Sequence, residues 1–577
     1  MNDYVQALLD FVNREYDAQT IQVLELWQQP IGRRVAEGEA VADIEVVHIE
    51  PQRAWLRCSE NQSKFRPGDV VRLNQGNPLQ SPCFACELEE DRGTDLVVRA
   101  GYRVGFNELA HRRGWVLDRD IVDVRFLLES ALAQLDDGSQ HSQCVSGILQ
   151  GRVRPSFDSD AARSARAIVQ HLELDGSQAE AFVQAFSTRT YYLIQGPPGT
   201  GKTYLLAYLA EALAQRGERV LVTAFTHRAI NNALRKICEV TGFRRTAKIG
   251  QRLRADDLTW GRGQIPNYEH LSDSPFDRGD TGFIVGGTCF ALRTRRLRDV
   301  TFDTVIFDEA GQVTLPLAVA GMLAGRRHIF IGDHKQMRPV VVADHTPKWV
   351  ARSVFETLFE RTPGSLLTTT YRMNAEVNAY PSQRFYGGLV YPSSDAHSRR
   401  LELGGRPGAF GALLMPTPSS IFVEVGHSGR GMRSPEEAAV AAGVVAEAVS
   451  RGLPPTEIAV VAPYRAQVRL IREALRSRNL EPSGDGVIVD TVERIQGQER
   501  QVVVVSLTTS DPGHAAQRAS FYFQPNRLNV AITRPRVKRI VIGSPRLFDA
   551  RPKDAEHQRW VENFRGLYES SHVFVAK

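Results

Sequence analysis

A chain of 577 residues is too long for one hydrophobic core, and at ~150 residues per domain it divides into three or four units. Hydrophobic residues make up 42% and charged residues 24%, the balance of a globular protein, and a net charge of +5 is compatible with an anionic partner without demanding one. No run approaches the ~18 apolar residues that span a bilayer, and the acidic start MNDYVQALLDFVNREYD is unlike a secretory leader, so a cytoplasmic protein without membrane contact is expected. Six cysteines (58, 83, 86, 144, 238 and 289) are too scattered for a disulfide framework, and the lone Cys83/Cys86 CxxC has no second close pair to complete a zinc site.

Residues 1–35 read as helical, with Val5, Leu8, Leu9, Phe11 and Val12, then Ile21, Leu24 and Leu26, on apolar faces. From about Ala36 to Tyr102 the pattern shortens to alternating runs between turn residues (ADIEVVHIE, AWLRCSE, FRPGDVVRL, DLVVRAGY), which predicts a small β-barrel. DIVDVRFLLESALAQLDDG is then a helix ending at Gly138. Between about Gln170 and Val340 strands alternate with helices, and RVLVTAF, TVIFDEA and RHIFIGD read as buried parallel strands feeding loops. A second alternating region runs from about Ser353, with IFVEV, IAVVAP, VIVDT, QVVVVSL and RIVIG as strands and a loop over Ser393 to Ser420. The expected organisation is an accessory stalk and barrel over 1–150, a first α/β core over 151–345 with a polar insertion at about 251–282, and a second α/β core over 346–577.

The chemistry begins at GPPGTGKT, which supplies Gly196, Pro197, Pro198, Gly199, Thr200, Gly201, Lys202 and Thr203. It matches G-x-x-x-x-G-K-[ST], follows the apolar run YYLIQ and precedes a helical run with Leu205, Leu206, Leu209 and Leu213 on one face. A strand, a glycine-rich turn and a helix start aim backbone N–H groups and a helix dipole at one point, where a phosphate chain can sit. Lys202 is placed for the terminal phosphates of ATP and the Thr203 hydroxyl for Mg²⁺. TVIFDEAGQ then ends a strand in two carboxylates, Asp308 for Mg²⁺ and Glu309 for the attacking water.

The motif order resembles superfamily 1 helicases of type B, in the branch of the nonsense-mediated-decay helicase and the helicase half of the replication helicase–nuclease, over about Leu174 to Gly543. The resemblance implies an α/β protein of two tandem RecA-like cores with a helical stalk and small barrel. It assigns Gln178 of LDGSQAEA to the adenine edge, Gln336 of GDHKQMRPV to coupling, and Tyr371 and Arg372 of YRMN to base stacking and an arginine finger. DTVERIQGQE supplies Gln496 and places Glu499 near the ribose, and Arg534 of RLNVAITR is a second finger. FTHRAINN, GGTCFAL and APYRAQ match strand-contacting and second-core motifs, and Thr226, His227, Thr288 and Thr491 are the candidate nucleic-acid contacts, each threonine also readable as a cap or loop hydrogen bond. The basic run ALRTRRLRD is either a solvated face or a backbone contact.

Several positions depart from the family pattern: Phe225 replaces a proline, Asn231 an acidic residue, Thr370 a glutamine, Gln501 an aspartate and Thr509 an arginine. The resemblance implies an ATP-dependent helicase or translocase on single strands, running 5′ to 3′, with DNA favoured over RNA. The departures at 370, 501 and 509 favour an alternative, an ATP-switched clamp on nucleic acid or protein that barely unwinds. A one-core nucleotide kinase is opposed by two fingers outside the first core.

Overall fold

The computed structural model describes residues 2–576 apart from 62, 66, 102–104, 107, 110–112, 252–256, 262, 277–278, 299, 484–485 and 496. The chain opens with a long helix, Asp3–Trp27, started by the Asn2 side chain accepting from the N–H groups of Tyr4 and Val5. Pro30 follows its end, where the next helix, Ile31–Ala36, begins. Val5, Leu8, Phe11 and Val12 are buried in the same apolar cluster as Phe302, Val305, Phe307 and Phe330 of the first core. Each contributes roughly 1.5–3 kcal/mol by leaving water, so the stalk is fastened to that core. Glu15 strengthens the joint by accepting from His345 Nε2 at 2.7 Å and from the N–H groups of Val342 and Ala343.

The barrel closes with six antiparallel strands, in the order Ala40–Ile49, Arg53–Arg57, Asp95–Ala100, Phe84–Asp91, Val70–Asn74 and Trp115–Arg119. Two of these lie outside the four alternating runs visible in sequence, and the last falls beyond Tyr102. The CxxC spans the start of Phe84–Asp91, and Cys86 is buried, which pushes its thiol up to about 12. Trp27 Nε1 donates to Arg119 O at 2.9 Å and ties the stalk to the barrel.

The first core is an eight-stranded parallel sheet, ordered Asn267–Tyr268, Thr246–Ile249, Phe283–Gly286, Arg219–Thr223, Phe302–Phe307, Gly325–Gly332, Tyr191–Gln195 and Ser365–Leu366. Alternate residues of these strands enter two separate apolar clusters, one on each face, as parallel sheets buried on both sides require. Two of its strands correct the expected layout. Asn267–Tyr268 lies in the stretch read as an insertion yet forms an edge of the sheet, and Ser365–Leu366 extends this unit past residue 345. Residues 252–256 of the same stretch lie outside the described residues. The helix Val354–Phe359 also packs on this core through Val354, Phe355 and Leu358.

The second core is a six-stranded parallel sheet, ordered Ile488–Thr491, Ile458–Ala462, Arg500–Ser506, Pro535–Gly543, Ser420–Glu424 and His572–Val575. The five expected strands are present, and His572–Val575 adds a sixth. Inside it His427 Nε2 lies 2.8 Å from Glu437 Oε1, and Glu437 Oε2 accepts from Ser506 Oγ and Thr508 N, each at 2.7 Å. Both members of the pair are almost fully buried, so removing one strands the other. Glu437→Ala is expected to destabilise this core by about 3–5 kcal/mol, read as faster amide exchange in Ile458–Ala462 and Arg500–Ser506.

Candidate active site

The phosphate loop joins the strand Tyr191–Gln195 to the helix Lys202–Gln215. Its glycines are sterically fixed. A Cβ on Gly196 would lie 2.0 Å from Lys202 Cγ, and one on Gly199, where φ is +75°, would lie 2.4 Å from Arg372 Cβ and 2.7 Å from Thr370 Oγ1. The loop is thus shaped by the segment that carries the expected finger. Lys202 Nζ donates to Gly196 O at 2.5 Å, and Thr200 Oγ1 donates to Pro197 O at 2.8 Å. Gln178 is held by a reciprocal cap with Asp175 and donates to Thr200 O at 3.0 Å, so its amide borders the same loop.

Asp308 and Glu309 follow the strand Phe302–Phe307. Asp308 is buried, and burial together with the Glu309 charge pushes its carboxyl up to about 7, against the pull of Lys202. Glu309 adopts φ +50°, a left-handed conformation that costs a non-glycine residue on the order of 1 kcal/mol and re-aims its side chain. Gln312 Nε2 donates to Glu309 Oε2 at 3.3 Å.

The YRMN segment crosses from one core to the other. Tyr371 N donates to Gly199 O at 2.8 Å on the first core, and Asn374 N donates to Arg536 O at 3.0 Å on the second. The Thr370 hydroxyl donates to Pro198 O at 3.0 Å. Tyr371 keeps its ring 41% exposed and donates to Asp175 Oδ2 at 2.8 Å. Arg372 Nε donates to Glu499 Oε2 at 2.7 Å and Nη1 to Thr533 O at 3.1 Å. Burial alone would raise the Glu499 carboxyl, but Arg372 outweighs it and holds Glu499 below its ordinary value. Arg534 is buried, and its guanidinium is pushed down to about 9 by desolvation and by Arg372.

Residues not singled out in sequence complete the joint. Asp333 accepts from Gln195 Nε2 at 3.1 Å, from Gln336 Nε2 at 2.7 Å and from Tyr386 OH at 2.7 Å. Tyr386 in turn accepts from Asn529 Nδ2 at 2.7 Å, and Asn529 and Asn526 donate to Lys335 O and His334 O. Gln336 Oε1 lies 3.5 Å from Arg534 Nη2. Asp333 and Asn529 lie inside the quoted motifs, whereas Tyr386 sits mid-chain in an ordinary helix, Ala375–Tyr386, with no local signal.

The candidate strand contacts occupy the carboxyl edges of both sheets. Gly286 pairs with Val222, so the loops bearing Thr226–His227 and Thr288 emerge side by side; Thr491 pairs with Ala462 in the second core. Thr226 caps the helix His227–Thr241 by accepting from Ala229 N at 3.2 Å, and Thr288 Oγ1 accepts from Ala291 N at 3.3 Å. Within the basic run, Arg293 donates to Gln134 Oε1 at 2.7 Å and Arg296 lies 3.2 Å from Glu269, so these two side chains brace the protein. Gln496 lies outside the described residues. Among the described residues no helix is long and apolar enough to cross a membrane, and no group of three or more His, Cys, Asp or Glu could hold a metal ion.

Two family profiles, each described as an AAA domain, match residues 173–380 and 350–546. The chain is 26% identical over 420 residues to the DNA replication ATP-dependent helicase/nuclease JHS1 of Arabidopsis thaliana, covering 69% of this chain and 31% of that protein. It is 26% identical over 480 residues to the DNA replication ATP-dependent helicase/nuclease DNA2 of Saccharomyces cerevisiae, covering 78% of this chain and 31% of that protein. The DNA polymerase alpha-associated DNA helicase A of Schizosaccharomyces pombe is 26% identical over 454 residues, with 68% of this chain and 65% of that protein covered. The chain therefore spans about a third of the length of the first two relatives.

Proposed function

We propose, from the premise that the chain is a superfamily 1 helicase, that it couples ATP hydrolysis between its cores to movement along a single nucleic-acid strand, DNA before RNA. The observation that carries this reading is the convergence of Arg372 and Arg534 on the phosphate loop and Gln336, because neither guanidinium has a carboxylate partner of its own inside the cleft beyond Glu499. Cationic groups collected in this way suit the charge that develops on a transferring phosphoryl group.

Lys202 would exchange Gly196 O for phosphate oxygens. The Thr203 hydroxyl and Asp308 would hold Mg²⁺, which suits a buried carboxylate whose charge the pull of Lys202 does not offset, and the ion would supply charge neutralisation at the phosphates. Glu309 would orient and deprotonate the attacking water, Gln178 and Tyr371 would hold the base, and Glu499 the ribose. Gln336 touches both Asp333 and Arg534, so a change at the phosphate end reaches the second core through one side chain. Thr226, His227 and Thr288 on one sheet and Thr491 on the other would grip a strand laid across both, which makes its passage depend on their separation.

The relatives named as DNA replication helicases support DNA as the strand, and 5′ to 3′ travel is carried from the resemblance. The test is steady-state ATP hydrolysis with and without single-stranded DNA and RNA, followed by strand separation on duplexes with 5′ or 3′ tails. At least tenfold stimulation by a single strand is expected, and hydrolysis indifferent to oligonucleotide would overturn the reading. Stimulation without strand separation at saturating ATP would select the clamp.

A further inference from the structure

A cleft of about 540 Å³ lies on the seam between the cores, and none of the residues assigned above to the base, the ribose or Mg²⁺ lines it. The first core contributes Lys335, Arg338 and the end of the helix Val354–Phe359. The second contributes Arg384, Asn526 and one face of the helix Ala555–Glu569, with Arg559 and Trp560. The charge of this lining is uneven once the existing pairs are set aside. Arg338 lies 3.5 Å from Glu356, and Glu360 is paired with Arg352 outside the cleft. Burial pushes His334 down to about 4, so it is neutral at neutral pH. Among the described residues, Lys335, Arg384 and Arg559 have no carboxylate within ion-pair distance, and Glu556 is the one lining carboxylate without a cation. Three uncommitted cations against one carboxylate, between walls that include Phe359, Phe385 and Trp560, concentrate a positive field on whatever enters.

This cleft and the phosphate loop meet across Gln336. Gln336 Nε2 lies 3.5 Å from Gly196 O, the oxygen that also accepts from Lys202 Nζ. The Gln336 carbonyl accepts from Asn526 Nδ2, on the cleft wall, and the same amide donates to His334 O at 2.8 Å. A phosphate split from ATP would therefore lie against Gln336, with ADP between it and the end formed by Gln178 and Tyr371. Parting the amide contacts at Asn526 would expose that phosphate to the cations behind it without displacing ADP.

We propose that this cleft takes the inorganic phosphate produced by hydrolysis and is its way out of the active site, ahead of ADP. The inference rests on the hydrolysis reading above and adds to it the order and the route of product release.

The test follows single turnovers of the full chain with single-stranded DNA in three ways: acid quench for hydrolysis, a fluorescent sensor for free inorganic phosphate, and a fluorescent ATP analogue for departure of the diphosphate. The parent is expected to free phosphate before ADP. Arg559→Glu, on an exposed helix face, is expected to delay the phosphate signal about tenfold behind the quench trace, which keeps its parental rate. Lys335→Gln is expected to delay it about threefold, and Arg559→Lys to behave like the parent. ADP leaving first in the parent overturns the proposal. So does phosphate release at the parental rate in both Arg559→Glu and Lys335→Gln, or equal slowing of their quench and sensor traces. A parent whose quench trace shows no hydrolysis overturns the hydrolysis reading itself, and this exit with it.

Discussion

Arg534→Ala is expected to lower strand-stimulated ATP turnover by about a thousandfold, the lower end of what an arginine finger contributes. Arg534 is buried and is drawn towards deprotonation by desolvation and by Arg372, yet at about 9 it remains charged at neutral pH. Its hydrogen bonds are to Val530 O at 2.9 Å and, at 3.5 Å, to Gln336 Oε1, neither of which neutralises it. A cation held in this state gains most when negative charge develops in front of it, so the effect falls on kcat more than on nucleotide affinity. Arg534→Lys is expected to recover little, because an ammonium lacks the planar fork. Single-turnover hydrolysis at saturating ATP measures the step directly. A loss below tenfold, with an unchanged melting temperature, would remove Arg534 from the reaction.

Asp308→Asn is expected to stabilise the empty protein while nearly abolishing hydrolysis. The Asp308 carboxyl is pushed from 3.8 up to about 7 because burial and Glu309 oppose its charge. A folded-state value above the unfolded one means that protonation favours the fold. That contribution is complete below about 3.8 and is lost as pH rises through about 7. Asparagine keeps an oxygen for the Glu309 N–H, now 2.9 Å from Asp308 Oδ1, and carries no charge to desolvate. The variant should gain about 2–4 kcal/mol at pH 8, with the gain shrinking towards pH 4. Turnover should fall about a thousandfold, because the variant loses a carboxylate proposed to hold Mg²⁺. Thermal melts of the empty proteins from pH 5 to pH 8 check the first half; a variant that melts below the parent at pH 8 would contradict it.

The parts legible in sequence are those whose chemistry is local. Eight consecutive residues specify the phosphate loop because the turn, the glycines and the lysine must be adjacent, and Asp308 and Glu309 announce themselves at the end of an apolar strand. Strands of two residues, Asn267–Tyr268 and Ser365–Leu366, have no period to detect, and they moved the edges of the first core. The barrel strand Trp115–Arg119 is buried at four consecutive positions instead of alternating, so its pattern hid it. Tyr386 shows a different limit. Its partners Asp333 and Asn529 lie 53 and 143 residues away, and only folding brings the three hydroxyl, carboxylate and amide groups together.

That trio has a mechanical consequence. The seam between the lobes is stitched by amides, a phenol and a carboxylate (Asn526, Asn529, Tyr386, Asp333, Gln336), with Met337 adding a modest greasy contact. Each stitch can be replaced by a water molecule at small net cost, whereas an aliphatic seam would have to wet its surface at every parting. In the proposed cycle the lobes would therefore separate and rejoin without passing through a sticky intermediate.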